Sequence, residues 1–345
     1  MKFMGLRRRI SALIFKRKAE QLSSTFIKNG SMLLEEFMDS CNGRYNIPIR
    51  NFSAKQILRA TNNFDQHHLI LDDGHFKIYK GSLEERLILA KKFDDHYSSD
   101  YRSKAIRDIV ITSQMRSHKN VARLFGYCLE FEGPALVYEY SGNVPLQKLL
   151  INKDKASGHE DSSLGWKSRL RIANEIANAV AYLHTALSRH VVNRDLNLNN
   201  IMIDQHGVTR LFDFSLSISI SPEEEESGVA DPVVGTLGYV DPEYFQSGFV
   251  TEKSDAYNFG VILLQLLTRK KAFLPKGEQD ERHLAHERAE QADAYNFKSV
   301  LEFETAQTIL RAEQKSFDFV SDLHSQNSKE WTAIEEQKIT ILSIL

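Results

Sequence analysis

The chain has 345 residues, with 44 basic and 46 acidic side chains and a formal net charge of −2. That is material for one large two-lobed domain or two ordinary ones, and it leaves no overall field that would favour nucleic acid. The two cysteines, Cys41 and Cys128, form no CxxC or CxxH spacing, so the simplest reading is a reduced intracellular protein without structural zinc.

The first residues, MKFMGLRRRISALIFKRK, set Arg7, Arg8, Arg9, Lys16, Arg17 and Lys18 around the apolar ISALIF. This basic amphipathic stretch reads either as a solvated, frayed terminus or as a peripheral contact with an anionic membrane surface. ISALIF is far short of the ~18–20 apolar residues that span a bilayer, and no other run approaches that length. Arg17 and Lys18 stand where a secretory signal needs small residues, and Arg9 stands where the acylation pattern wants Ser or Thr. The expected location is therefore the cytoplasm, with the inner face of the plasma membrane as the surface the basic end would meet.

Residues 24–43, STFIKNGSMLLEEFMDSCNG, carry apolar positions at helical spacing and close on the turn signal Asn42-Gly43. In NFSAKQILRATNNF, Ser53 is placed to cap a second short helix. The pattern then becomes strand-like in FKIYKG and ERLILAKKF, helical over 101–117, and strand-like again in LFGYCLEF and PALVYEY. A connector at Ser141 and Gly142 precedes the firmest helix of the chain, WKSRLRIANEIANAVAYLHTAL, with apolar residues every three or four places. A further apolar helix, SDAYNFGVILLQLLT, begins near Ser254, and from Lys276 the chain is charged and apolar-poor.

Phosphoryl transfer needs a lysine on the nucleotide phosphates, oxygens for a metal, and a carboxylate that orients the attacking hydroxyl. The chain offers these in order: Lys91 at the end of ILAK, Asp195 and Asn200 in VVNRDLNLNN, and Asp213 opening DFS. Here the sequence resembles the eukaryotic protein kinases, with their VAIK, HRDLKxxN and DFG motifs. The resemblance runs from about Phe52 to Phe273 and includes VVGTLGYVDPEY at 233–244 and SDAYNFG at 254–260, the latter similar to the buried helix that anchors the catalytic loop.

The resemblance implies an α+β, two-lobed kinase-like fold: a basic extension and helix at 1–50, a strand-rich N-lobe at 51–140, a helical C-lobe core at 141–275 and a divergent, eroded tail at 276–345. It also implies ATP and Mg as ligands. Lys91 would contact the phosphates, Asp195 would be the catalytic carboxylate, and Asn200 and Asp213 would hold the metal. Gly74, Ile78, Leu89, Tyr138, Glu139, Ser141 and Met202 would line the nucleotide, with Tyr138 as gatekeeper and Glu139–Ser141 as hinge.

The same comparison exposes departures. In LDDGHFKIYKG, Asp72 replaces the first loop glycine, Gly74 alone survives, and FKIY is one residue shorter than the family's FGxVY. Asp72 and Asp73 stand where phosphate would lie and would repel it. Leu89 replaces a smaller alanine. The partner of Lys91 falls on Asp108 or on Ile109, depending on alignment, so the usual ion pair is in doubt. Asn193 replaces the histidine of HRD, and Asn197 replaces a lysine that stabilises the transferring phosphoryl group, a loss of the kind that costs ~10²–10³ in rate. Ser215 replaces the DFG glycine and would stiffen its segment.

Residues 26–64 resemble the leader of the ZED-related kinases, a plant receptor-like cytoplasmic kinase group that includes pseudokinases. The resemblance implies an adaptor in plant immunity that bridges an NLR-type immune receptor and a partner receptor-like cytoplasmic kinase. A weakly active ATP-dependent Ser/Thr kinase is the alternative. EEEE at 223–226 reads as a solvated loop or a recognition patch.

Overall fold

The computed structural model describes residues 21, 23–40, 49–93, 100–151, 164–221, 224 and 228–272. The basic terminus, the Asn42-Gly43 turn, the tail from 276 and all of the acidic run but Glu224 lie outside the described residues. The fold is α+β and divides into two units: the chain to Asn143 together with Asp213–Ser215, and Val144–Phe212 with Leu216 onward. No helix among the described residues is long and apolar enough to cross a membrane.

The first unit opens with helix α1 (residues 23–40). Thr25, Asn29, Leu33, Phe37 and Ser40 recur at three- and four-residue spacing and form its buried stripe. Asn29 anchors the helix by donating from Nδ2 to the Leu129 and Phe131 carbonyls, at 2.8 Å each.

β1 (Arg50–Asn51) leads into α2 (Ala54–Ala60). Ser53 caps that helix in a reciprocal box, its hydroxyl accepting from the Gln56 N–H while the Gln56 side chain accepts from the Ser53 N–H. After a 3₁₀ turn at Gln66–His68 come β2 (Leu69–Asp72), β3 (Phe76–Leu83), β4 (Arg86–Phe93), α3 (Tyr101–Gln114), β5 (Leu124–Cys128) and β6 (Ala135–Glu139). Helix α3 stops three residues short of the expected 117, at a Met115 cap whose N–H reaches the Ile111 carbonyl.

The six strands form one sheet in the order β1-β5-β6-β4-β3-β2, antiparallel except for the β1–β5 pair. Phe52, Ile57, Leu83, Ile88, Ala90, Cys128 and Val137 pack where α2 lies on this sheet. Gly126 permits the β1 pairing, because a Cβ there would sit 2.4 Å from the Arg50 carbonyl oxygen and 2.4 Å from the Phe52 ring.

The second unit holds β7 (Val144–Pro145), α4 (Leu146–Leu150), α5 (Trp166–Thr185), β8 (His190–Val192), β9 (Ile201–Ile203), β10 (Thr209–Leu211), β11 (Ile218–Ile220), β12 (Val229–Ala230), α6 (Pro242–Ser247), β13 (Phe249–Val250) and α7 (Glu252–Thr268). Its strands are short, in sheets of two or three. The core is helical: α5 buries Ile172, Ile176, Val180 and Leu183 at helical spacing and packs against α7. α7 is buried almost all round from Asn258 to Leu263, which explains its near-continuous apolar sequence.

Candidate functional site

In the first unit the β3–β4 register sets Ile78 opposite Lys91 and Phe76 opposite Phe93, so all four side chains share one face of the sheet. Lys91 is fully buried. Its Nζ lies 2.7 Å from Asp108 Oδ2 and 2.5 Å from Asp213 Oδ1. The expectation that this ion pair is doubtful is thus corrected: Asp108, not Ile109, faces the lysine, and the carboxylate one methylene shorter still reaches it.

Asp108 is a hub. Its Oδ1 accepts from the Thr112 hydroxyl at 3.1 Å and the Phe214 N–H at 3.2 Å, and the Tyr138 hydroxyl lies 3.4 Å from Oδ2. Burial pushes its carboxyl up to about 6 against the pull of Lys91. Burial depresses the Lys91 ammonium, but Asp108 and Asp213 outweigh it and leave the group raised, hence protonated. Asp213 is engaged at both oxygens: Oδ1 by Lys91 and the Ser215 N–H, Oδ2 by the Ser215 hydroxyl at 3.2 Å. The serine in place of glycine therefore adds a donor to the carboxylate that a metal would need.

The other expected nucleotide-lining residues of this unit are dispersed in character. Ile78, Leu89 and Tyr138 are wholly buried. Gly74 takes φ +81° in the β2–β3 turn and donates its N–H to Asp72. Asp72 also pairs with Lys77 at 3.4 Å, which offsets part of the negative charge. Glu139 is exposed beside Arg123 at 3.5 Å, and Ser141 donates its N–H to Asn143 Oδ1 at 2.8 Å.

In the second unit, the loop between β8 and β9 carries Asp195 and Asn200. Asp255 of α7, wholly buried, holds its start by accepting the Asn193 N–H at 2.7 Å and the Arg194 N–H at 2.8 Å. Arg194 is thereby kept at φ +67°, a left-handed conformation that costs a side-chain-bearing residue about 1–2 kcal/mol.

The two asparagine substitutions close the loop on itself. Asn193 Oδ1 accepts the Asp195 N–H; Asn197 Oδ1 accepts from the Asn199 and Asn200 N–H groups, and its Nδ2 donates to the Asp195 carbonyl and the Thr236 hydroxyl. Such side-chain-to-backbone bonds fix the loop locally. Asp195 accepts from the Thr236 hydroxyl at 2.6 Å and from Asn200 Nδ2 at 3.0 Å. Met202, in β9, is buried and pairs in register with Pro145 and Arg210.

The structure thus brings Lys91 and Asp213 together in one unit, and Asp195 and Asn200 together in the other. Thr236 was not singled out from the sequence, although it stands in the VVGTLGYV stretch. Asp255 was present only as part of SDAYNFG.

The two halves answer differently to an ATP–Mg ligand set. Asn200 Oδ1 is buried without a hydrogen-bond partner and suits a metal ion. On the other side, Lys91 keeps its ion pair with Asp108, and a metal ion at Asp213 would compete with the Lys91 ammonium and the two Ser215 donors for the carboxylate.

The lysine, the aspartate–asparagine loop and the DFS segment on an α+β scaffold define a protein kinase domain. That family matches residues 74–338. The chain is similar to three Arabidopsis thaliana proteins: "Non-functional pseudokinase ZED1", 45% identical over 246 residues, covering 71% of each chain; "Serine/threonine-protein kinase ZRK1", 38% over 271 residues, 77% of this chain and 75% of the relative; and "Non-functional pseudokinase ZRK2", 38% over 275 residues, 78% and 74%. The chain belongs to the protein kinase family, within its ZED-related group of kinases and pseudokinases.

Proposed function

We propose that the chain is a pseudokinase that works by binding: an adaptor in plant immune signalling that bridges an NLR-type immune receptor and a partner receptor-like cytoplasmic kinase. The observation that carries this reading lies in the catalytic loop, where Asn197 stands in place of the family's lysine and turns its amide back onto the Asp195 carbonyl and the Thr236 hydroxyl, so that position offers no cation to a transferring phosphoryl group. Phosphoryl transfer depends on charge stabilisation at the reaction centre, and a core retained without it still supplies a rigid surface. Two of the three relatives are named as non-functional pseudokinases. The protein acts in the cytoplasm, where the basic stretch at 7–18 would add peripheral contact with the inner face of the plasma membrane.

The test is co-purification of receptor and partner kinase with wild type and with Asp195→Ala. Equal assembly is expected, and assembly that depends on Asp195 would refute the reading.

One observation favours a weak Ser/Thr kinase instead. Asp195 and Asn200 keep a 3.0 Å contact with the Asn200 side-chain Oδ1 unpartnered, and ZRK1 is named a serine/threonine-protein kinase. Radiolabel incorporation from Mg-ATP by wild type above the Asp195→Ala background would establish it.

A further inference from the structure

The side chain over Lys91 is a phenylalanine from the glycine-loop position. Its ring centroid lies 3.9 Å from Lys91 Nζ, with the Phe93 centroid at 4.8 Å on the same ammonium. The two rings pack at 5.9 Å with an interplanar angle of 57°, and Phe76 is 1% exposed, Phe93 3% and Lys91 0%.

The cause lies in chain parity. In FGxVY the phenylalanine stands three residues before the valine, an odd separation that would place the two on opposite faces of a strand. In FKIY, Phe76 stands two residues before Ile78, and side chains two apart share a face. The missing residue therefore turns the ring inward. The Asp73 N–H closes the turn on the Phe76 carbonyl at 3.1 Å, with Gly74 at φ +81° supplying the reversal, so Phe76 is held as the first residue of β3 and not at a loop tip.

We propose that Phe76 is a built-in plug: the one-residue deletion drives its ring onto the Lys91 ammonium and bars phosphate-bearing ligands from it. This rests on the pseudokinase reading and gives it a residue-level cause. The face of a ring satisfies a cation without offering a polar group that a phosphate could replace.

The test is lysine acylation of the full chain by an N-hydroxysuccinimide ester, read by mass spectrometry, with and without millimolar Mg-ATP. In wild type, Lys91 should label at least about a hundredfold more slowly than the exposed Lys55, because reaction requires local opening, and Mg-ATP should change neither the labelling nor the thermal midpoint. Phe76→Ala should raise Lys91 labelling about tenfold or more, and Mg-ATP should then protect it and raise the midpoint.

A glycine inserted after Phe76, which restores the longer spacing and keeps the ring, should do the same if Phe76→Ala fails to fold. Wild-type Lys91 labelling at the rate of Lys55 would overturn the proposal, as would folded variants of both kinds in which Lys91 stays protected. Phosphate incorporation by wild type, which requires nucleotide phosphates at this lysine, would defeat both the pseudokinase reading and the plug. Free labelling without incorporation would defeat the plug alone.

Discussion

Replacing Lys91 with methionine keeps most of the side-chain length and removes the charge that two buried carboxylates share. In a solvated active site such a change is close to neutral for folding. Here Lys91 is wholly buried, 2.7 Å from Asp108 and 2.5 Å from Asp213, so its removal leaves both carboxylates uncompensated, a situation that costs about 3–5 kcal/mol. The lost ring–cation contacts add about 1 kcal/mol, and a methionine sulfur against Phe76 and Phe93 returns a comparable amount. A net loss of about 4 kcal/mol lowers the melting midpoint by roughly 10 °C for a unit of this size.

The pH dependence has a definite sign. Asp108 is already raised to about 6 by burial, and without Lys91 it rises further. A carboxyl whose folded pKa lies above its unfolded one contributes stability that is present below the unfolded value and lost as pH rises through the folded one. The penalty of Lys91→Met should therefore be largest above pH 7 and shrink on acidification toward pH 5. Circular-dichroism melts of both proteins at pH 5, 6.5 and 8 measure it. A midpoint drop of under about 3 °C at pH 8, or a drop independent of pH, would refute the buried-triad account.

Two further outcomes follow from other clusters. His184 stands 2.9 Å from Asp255 with Glu252 at 3.9 Å; burial lowers its pKa, but the hydrogen bond to Asp255 and the two charges outweigh burial and leave it raised. Its stabilising contribution is complete below the ordinary histidine value and is lost as pH rises through the raised one, so wild type should lose stability across that window in urea titrations while His184→Gln should show a flatter profile. Asn29→Ala deletes both donations to the Leu129 and Phe131 carbonyls and should cost about 1–3 kcal/mol, read as faster amide hydrogen exchange across residues 23–40; unchanged protection there would show that apolar packing alone seats α1.

Much of the fold was legible because its signals are local. The Ser53 cap, the strand-like apolar character of FKIYKG and RLILAKKF, and the three- and four-residue spacing of the long helix each reflect neighbours close in the chain. The motif order around Lys91, Asp195, Asn200 and Asp213 likewise survives substitution, since it depends on chain position. The departures at Asn193, Asn197 and Ser215 were also visible as changes of residue type, although type alone suggested loss and stiffening, whereas the coordinates show new hydrogen bonds that hold the loop and occupy Asp213.

Tertiary structure decided what the lysine faces. Asp108 and Ile109 are adjacent in sequence, and only the orientation of α3 against the sheet selects the carboxylate. The engagement of Asp213, 122 residues away, depends on how the DFS segment enters the first unit. Phe76 lies between these two cases: its parity is written in the missing residue, but its effect exists only because β3 pairs with β4 in the register that sets it across from Phe93 and two residues from the partner of Lys91. Side-chain identity is a property of the chain, while burial and pairing are properties of the packed state, and it is the packing around Lys91 that sets which groups an incoming phosphate would have to displace.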